Sequence, residues 1–155
     1  MRAHAIVVAA LCAAACTDQR PSSGECRGTL GGSTVDGWII APEVSDFHRS
    51  DGILGDEDGP FRAAYRSTAL TIDAELESMP QESYLGAHDI SSDPILHFFR
   101  VESPVAGGSF DGGTMTLTTA TRDRMAGTFL LRWSDSSELT CIFDLRRNYT
   151  LDTDD

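Results

Sequence analysis

Apolar and polar side chains alternate with a period of two over much of this chain. Between positions 69 and 77, every second residue is apolar: Leu70, Ile72, Ala74 and Leu76. Successive side chains of a β-strand point to opposite faces, so this alternation predicts a strand with one buried face. The opposite face is predicted to be solvated, and it carries Asp73, Glu75 and Glu77.

Three further alternating segments follow one another near the C-terminus. They cover residues 114–120, 126–133 and 138–146, and residues 122–124 and 134–137 form the connections between them. Such short connections are typical of β-hairpins, so the three segments predict an antiparallel meander. The alternation also places Cys141 on the inward face of the last strand.

Four more short strands are predicted upstream of the meander, at residues 26–30, 34–41, 61–66 and 95–102. About eight short strands separated by Gly and Asp turns predict an all-β fold, an antiparallel β-sandwich, with a small closed β-barrel as the alternative. No segment has the period of an amphipathic helix, although residues 42–51 and 80–87 have room for a single turn.

The first fifteen residues have the composition of an export signal. Arg2 supplies a positive charge, and residues 5–15 are uniformly apolar. This apolar segment is too short to span a bilayer, which takes about 20 residues, but it suits a signal peptide.

The residues that end this signal, positions 13–16, read Ala-Ala-Ala-Cys. They resemble the lipobox of bacterial lipoproteins, in which a lipidated cysteine becomes the first mature residue; Ala13 stands where Leu is commonest. The resemblance implies lipidation of Cys16 and membrane attachment. Because Thr17 and not Asp follows, it implies the outer membrane. The alternative is ordinary secretion after Ala15, since small residues at Ala13 and Ala15 also satisfy signal cleavage.

The four cysteines fit the lipoprotein interpretation. Cys12 would be removed with the signal and Cys16 would carry lipid, which leaves Cys26 and Cys141. An even pair in an exported protein predicts a disulfide. Such a bridge would close a loop of over a hundred residues and stabilise the fold by ~4 to 5 kcal/mol in the chain-entropy model.

These features predict four regions. They are a signal peptide at 1–15, a lipid-anchored flexible tether at 16–24, a single β domain at 25–151 and an acidic tail at 152–155.

The charge balance restricts the partners and the chemistry. The chain has 12 basic residues, all of them Arg, against 24 acidic residues, and its net charge is −12. Binding a polyanion requires clustered cations, so this balance argues against nucleic acid as a partner. The lack of Lys excludes Schiff-base chemistry and a phosphate-binding loop of the Walker type. No cofactor is predicted.

The sequence contains only one weak candidate for a metal site. The acidic, glycine-rich segment 51–59 makes Asp56 and Asp58 candidate calcium ligands. Aligned with an EF-hand loop, however, Leu54 and Tyr65 occupy the positions of its anchoring carboxylates, which favours a solvated loop. The three histidines of the mature chain lack metal-ligand spacing and are His48, His88 and His97.

Two surfaces are candidates for ligand binding. Trp38 and Phe47 could form an aromatic platform for a sugar, with a core position as the alternative for Trp38. A threonine ladder for a flat ligand is the second candidate, although Thr is also a common exposed strand residue; it comprises Thr114, Thr116 and Thr118.

The sequence favours a lipid-anchored cell-envelope β domain that acts as a non-enzymatic binding or structural module. The Ser109 segment lacks the closing Gly of a hydrolase elbow, and no CxxC motif is present. The alternative is a secreted or anchored carbohydrate-active or hydrolytic enzyme that uses loop carboxylates.

Overall fold

The computed structural model describes residues 20–49, 60–67 and 69–151. These residues form ten β-strands and one short 3-10 helix at Glu82–Tyr84. The strands are β1 Ser23–Leu30, β2 Ser33–Ile39, β3 Asp46–Arg49, β4 Phe61–Arg66, β5 Thr71–Leu76, β6 Gly86–Asp89, β7 Leu96–Glu102, β8 Phe110–Ala120, β9 Arg124–Trp133 and β10 Glu138–Arg146.

The strands form two open antiparallel sheets. One sheet has six strands in the order β2-β1-β10-β9-β8-β6, and the other has four in the order β3-β4-β5-β7. The inward faces of both sheets contribute to one hydrophobic core. The fold is therefore an antiparallel β-sandwich, as predicted, and the closed alternative is wrong.

The predicted C-terminal meander is confirmed. β8 pairs with β9, and β9 pairs with β10, both in antiparallel register. The inward positions of β9 and β10 are buried, as the alternation requires; they are Gly127, Phe129, Leu131, Trp133, Leu139, Cys141, Phe143 and Leu145.

Aromatic rings join the two sheets at the centre of the core. Phe129 of β9 stacks on Phe143 of β10 with ring centroids 4.4 Å apart. Across the sandwich, Phe129 meets Tyr65 of β4 edge-on at 6.3 Å and Phe99 of β7 at 5.8 Å. Aromatic pairs in these geometries add to the free energy gained by burying the rings.

Two edge strands, β3 and β6, were not among the predicted strands. Each has four residues, which is too short for alternation to be recognised. In β3 only Phe47 is fully buried, and β3 lies where a single helical turn was considered. The 3-10 helix at Glu82–Tyr84 does fall in the second segment considered for a turn.

The structured domain begins earlier than the predicted boundary between tether and domain. β1 starts at Ser23, and the Oγ of buried Ser22 accepts a hydrogen bond from the backbone N–H of Arg146 at 3.0 Å. Gly24 lies so close to β10 that a Cβ there would clash with the carbonyl oxygen of Ile142. The Ser-Ser-Gly sequence therefore provides close strand packing, and residues 23–24 belong to the sheet.

Cys26 and Cys141 lie directly opposite each other on β1 and β10. Their sulfur atoms are 2.07 Å apart, within bonding distance, and their Cα atoms are 4.0 Å apart, inside the limit of about 7 Å beyond which the predicted disulfide could not form. Both residues are fully buried. The bond joins neighbouring strands within the six-stranded sheet, and it links chain segments 115 residues apart in sequence.

Candidate functional site

The outer face of the four-stranded sheet carries a shallow depression of about 350 Å³. We call it the Phe98 ledge, and it is lined by Arg62, Asp73, Ala74, Glu75, Phe98 and Arg100. The strand register explains this grouping. Glu75 of β5 lies between Arg62 of β4 and Phe98 of β7, and in the next row Asp73 lies between Ala64 and Arg100.

Asp73 corrects the prediction that its face of β5 is solvated. The residue is buried, and its Oδ1 accepts hydrogen bonds from Arg66 Nη2 at 2.6 Å and Arg62 Nη2 at 3.0 Å. Burial alone raises the pKa of Asp73, but the hydrogen bonds and charges of the two guanidiniums outweigh it and lower the pKa below its ordinary value. Asp73 is therefore held as a carboxylate that fixes both arginines.

Arg66 is further fixed by the backbone. Its Nη1 donates to the carbonyl oxygens of Tyr65 at 3.1 Å and Ile72 at 2.9 Å. Arg62 and Arg100 are more accessible, with side chains 49% and 58% exposed. Arg100 also pairs with Glu102 on its own strand. The ledge thus offers accessible N–H donors that ion pairs hold in position.

A second depression of about 410 Å³ adjoins the ledge at the edge strand β7. We call it the edge cleft, and it is lined by Ile90, Ser91, Leu96, His97, Phe98, Phe99, Phe110, Asp111 and Gly112. Phe98 lines both depressions. His97 is exposed on this edge strand, which confirms its prediction as an edge residue. Ser109 is elsewhere, with its backbone N–H and its hydroxyl both donating to Ser134 Oγ.

The other two histidines have structural partners. The ring of His88, which is buried, contacts Asp93 Oδ2 through Nδ1 at 3.0 Å and the Tyr84 carbonyl through Nε2 at 2.7 Å. His48 Nδ1 contacts Asp46 Oδ1 at 3.0 Å. Burial raises the pKa of Asp46, but hydrogen bonds from His48 and Asn148 give a net lowering. His88 therefore attaches the edge strand β6 to neighbouring segments, whereas His48 pairs with a residue of its own strand, β3.

The two binding surfaces predicted from sequence have different outcomes. The aromatic platform is wrong, because Phe47 is fully buried and Trp38 packs against the core. Thr114 and Thr116 do lie in register on β8, and Thr116 pairs with Thr128 of β9. The ladder is interrupted at Thr118, because the register of β8 shifts between Leu117 and Thr119.

Several predicted site residues lie outside the described residues. They are Cys16, with the signal and most of the tether, and the calcium candidates Asp56 and Asp58. Within residues 20–49, 60–67 and 69–151, no cluster of three or more His, Cys, Asp or Glu side chains is arranged to hold a metal ion.

The Phe98 ledge was not predicted from the sequence. Phe98 and Phe99 are consecutive in a strand, so one of the two rings has to point away from the core. This signal was present, but it did not reveal which ring is exposed. The approach of Arg62 and Arg66 to Asp73 depends on the pairing of β4 with β5. No sequence motif marks Arg62, Arg66 or Asp73.

The chain was compared with protein families, curated proteins and solved structures. No family model matches the chain, and neither the curated proteins nor the solved structures contain a match. In the part of the chain that the structure describes, no helix has both the length and the apolar character needed to cross a bilayer.

Proposed function

We propose that this protein is a lipid-anchored domain of the bacterial cell envelope that acts as a non-enzymatic binding module. The observation that carries the binding role is the Phe98 ledge, where an aromatic ring is exposed among charged side chains held by ion pairs. Binding sites typically combine an apolar surface with a few polar groups fixed in position.

The charge state of Asp73 argues against a role as the general acid of a glycosidase. A glycosidase needs one carboxyl group that stays protonated to act as a general acid. The guanidiniums of Arg62 and Arg66 instead keep the pKa of Asp73 low, and they occupy its Oδ1. Asp73 is suited to hold two arginines in place for a ligand.

Export is supported by the cysteine pair and by the N-terminal sequence. A bond between Cys26 and Cys141 would persist in an oxidising compartment outside the cytosol. The apolar residues 5–15 and the small residues before Cys16 provide the signal and the anchor. β1 begins at Ser23, so the segment after Cys16 can hold the domain at most ~20 Å from the membrane surface.

Membrane fractionation of a Gram-negative host that expresses the full chain tests the anchor. The wild-type protein should sediment with the outer membrane, resist a high-salt wash and dissolve in detergent. Cys16→Ser should move the protein to the soluble fraction, whereas the matched control Cys12→Ser should stay with the membrane. Equal membrane retention of Cys16→Ser and wild type would refute the lipid anchor.

A further inference from the structure

A bulge in β7 places His97 and Phe98 on the same outer face of the sheet. Glu75 of β5 pairs with Phe98, but the next residue, Leu76, pairs with Leu96, so the register shifts at His97. Leu96 and Phe99 pack against the core, whereas Phe98 is 49% exposed. Bulges occur often beside functional sites, where they redirect a side chain. Here the bulge places exposed His97 beside the exposed ring of Phe98 on an edge strand.

Phe98 lies where the ledge and the edge cleft meet. The two depressions have volumes of about 350 and 410 Å³, at the lower end of the range for small-molecule sites. A ligand that covers Phe98 can extend into both of them. The shape suits one or two rings with a flat apolar face, either alone or as part of a longer molecule.

The charges around Phe98 are close to balance, with an excess of one carboxylate, because the edge cleft adds Asp111 to the charges of strands β4, β5 and β7. The described strands β4, β5 and β7 carry three guanidiniums, of Arg62, Arg66 and Arg100, and three carboxylates, of Asp73, Glu75 and Glu102. Glu75 would repel an anionic ligand that approached the arginines. The arginines would in turn repel a cationic ligand that approached Glu75. A neutral ligand with many hydroxyl groups can use both the donors and the acceptors.

The edge of β7 is poorly suited to an added peptide strand. Strand addition needs a regular row of backbone N–H and C=O groups, and a bulge interrupts that row. The shift at His97 lies in the segment beside the edge cleft. The exposed ring, and not the strand edge, is the recognition element.

We propose that Phe98, together with the ledge and the edge cleft, binds a neutral saccharide. A pyranose ring has an apolar face of C–H groups that can stack on Phe98, and its hydroxyl groups can accept from Arg62 or Arg100 and donate to Glu75. This inference rests on the proposed role as a binding module and names the class of its ligand.

Titration calorimetry with the full-length protein in detergent tests the proposal. The probes are three neutral tetrasaccharides (cellotetraose, maltotetraose and chitotetraose), the acidic tetragalacturonate, and an extended peptide of alternating Val and Thr. At least one neutral probe should bind. Phe98→Ala should weaken that binding by about tenfold or more, and Phe98→Trp should retain it.

Ile142→Ala is the matched control, because Ile142 is also 49% exposed but lies on the outer face of the other sheet. It should bind like wild type. The proposal is overturned if none of the neutral probes binds, if only the acidic probe or the peptide binds, or if Phe98→Ala binds like Ile142→Ala. The fractionation test is independent: a chain that is anchored but does not bind saccharide refutes this inference alone.

Discussion

The hydroxyl group of Tyr65 donates a hydrogen bond to Sγ of Cys26 at a distance of 3.1 Å. Tyr65 belongs to β4 of the four-stranded sheet, and Cys26 belongs to β1 of the six-stranded sheet. Both residues are fully buried. The contact therefore connects the two layers of the sandwich at the point where Cys26 meets Cys141.

Removing this hydroxyl should destabilise the fold moderately. Tyr65→Phe keeps the ring that meets Phe129 but loses the hydrogen bond, so the free energy of unfolding should fall by about 1 kcal/mol. Urea denaturation followed by tryptophan fluorescence measures this change. Tyr149→Phe is the control at an exposed tyrosine and should change the stability by less than about 0.5 kcal/mol. Equal effects of the two variants would contradict the buried contact.

The same tyrosine should make stability fall at alkaline pH. Burial, and to a smaller degree the charge of Glu25, raises the pKa of Tyr65 above its ordinary value. The folded state then retains a proton that the unfolded state loses above about pH 10, so this stabilisation is present below pH 10 and is lost as the pH rises further. The chain contains no Lys, so few other side chains titrate there. Urea denaturation between pH 9 and 11 should show a smaller decline for Tyr65→Phe, and parallel curves would be inconsistent with a buried phenol.

Loss of the cysteine pair should have a larger effect. The bond closes a segment of 115 residues, and in the chain-entropy model its removal lowers the free energy of unfolding by about 5 kcal/mol. The double variant Cys26→Ala, Cys141→Ala should therefore unfold at lower urea concentration. Adding a reductant should destabilise the wild type similarly and leave the double variant unchanged. A wild type that is insensitive to reductant after unfolding and refolding would argue against the bridge.

Asp73 should make stability depend on pH in the acid range. Its pKa is lowered in the folded state, so its contribution is present above the ordinary carboxyl pKa and is lost as the pH falls through the folded value. Asp73→Asn should reduce the free energy of unfolding by about 2 kcal/mol at pH 7, because two charged hydrogen bonds are weakened. The difference from wild type should shrink below about pH 4.

Glu75→Gln provides the matched control for Asp73→Asn. Glu75 lies two residues further on the same face of β5 but is less buried. Its substitution should change the stability at pH 7 by less than about 0.5 kcal/mol. An Asp73→Asn effect that is small, or that is as large at pH 3 as at pH 7, would contradict the role of Asp73 as an ion-paired carboxylate.

The elements that sequence reasoning predicted are those with local signals. β5 follows the alternation of Leu70 to Leu76, and β8 to β10 are joined by short turns, so periodicity was sufficient for both. Cys26 and Cys141 were predicted to pair because they are the two cysteines that remain after the signal and the anchor are assigned. The pairing was therefore predicted from the number of remaining cysteines and not from the positions of the strands.

The candidate site depended on contacts that no local pattern encodes. Asp73 sits on the polar face of β5, yet two arginines from β4 cover it. Phe98 points outward because it alternates with Phe99, which packs against the core, and a bulge adds His97 to the same outer face; nothing in the sequence around His97 marks that bulge. The acidic segment 51–59 lies outside the described residues, so its calcium prediction stays a prediction.

We propose above that this chain is exported, anchored at Cys16 and closed by one disulfide. Intact-mass spectrometry of the protein extracted from membranes tests it most directly. The predicted mass is that of residues 16–155 plus attached acyl groups, and it should rise by two hydrogens on reduction. An unacylated chain, whether it begins at Cys16 or elsewhere, would contradict the anchor. A mass unchanged by reduction would contradict the disulfide.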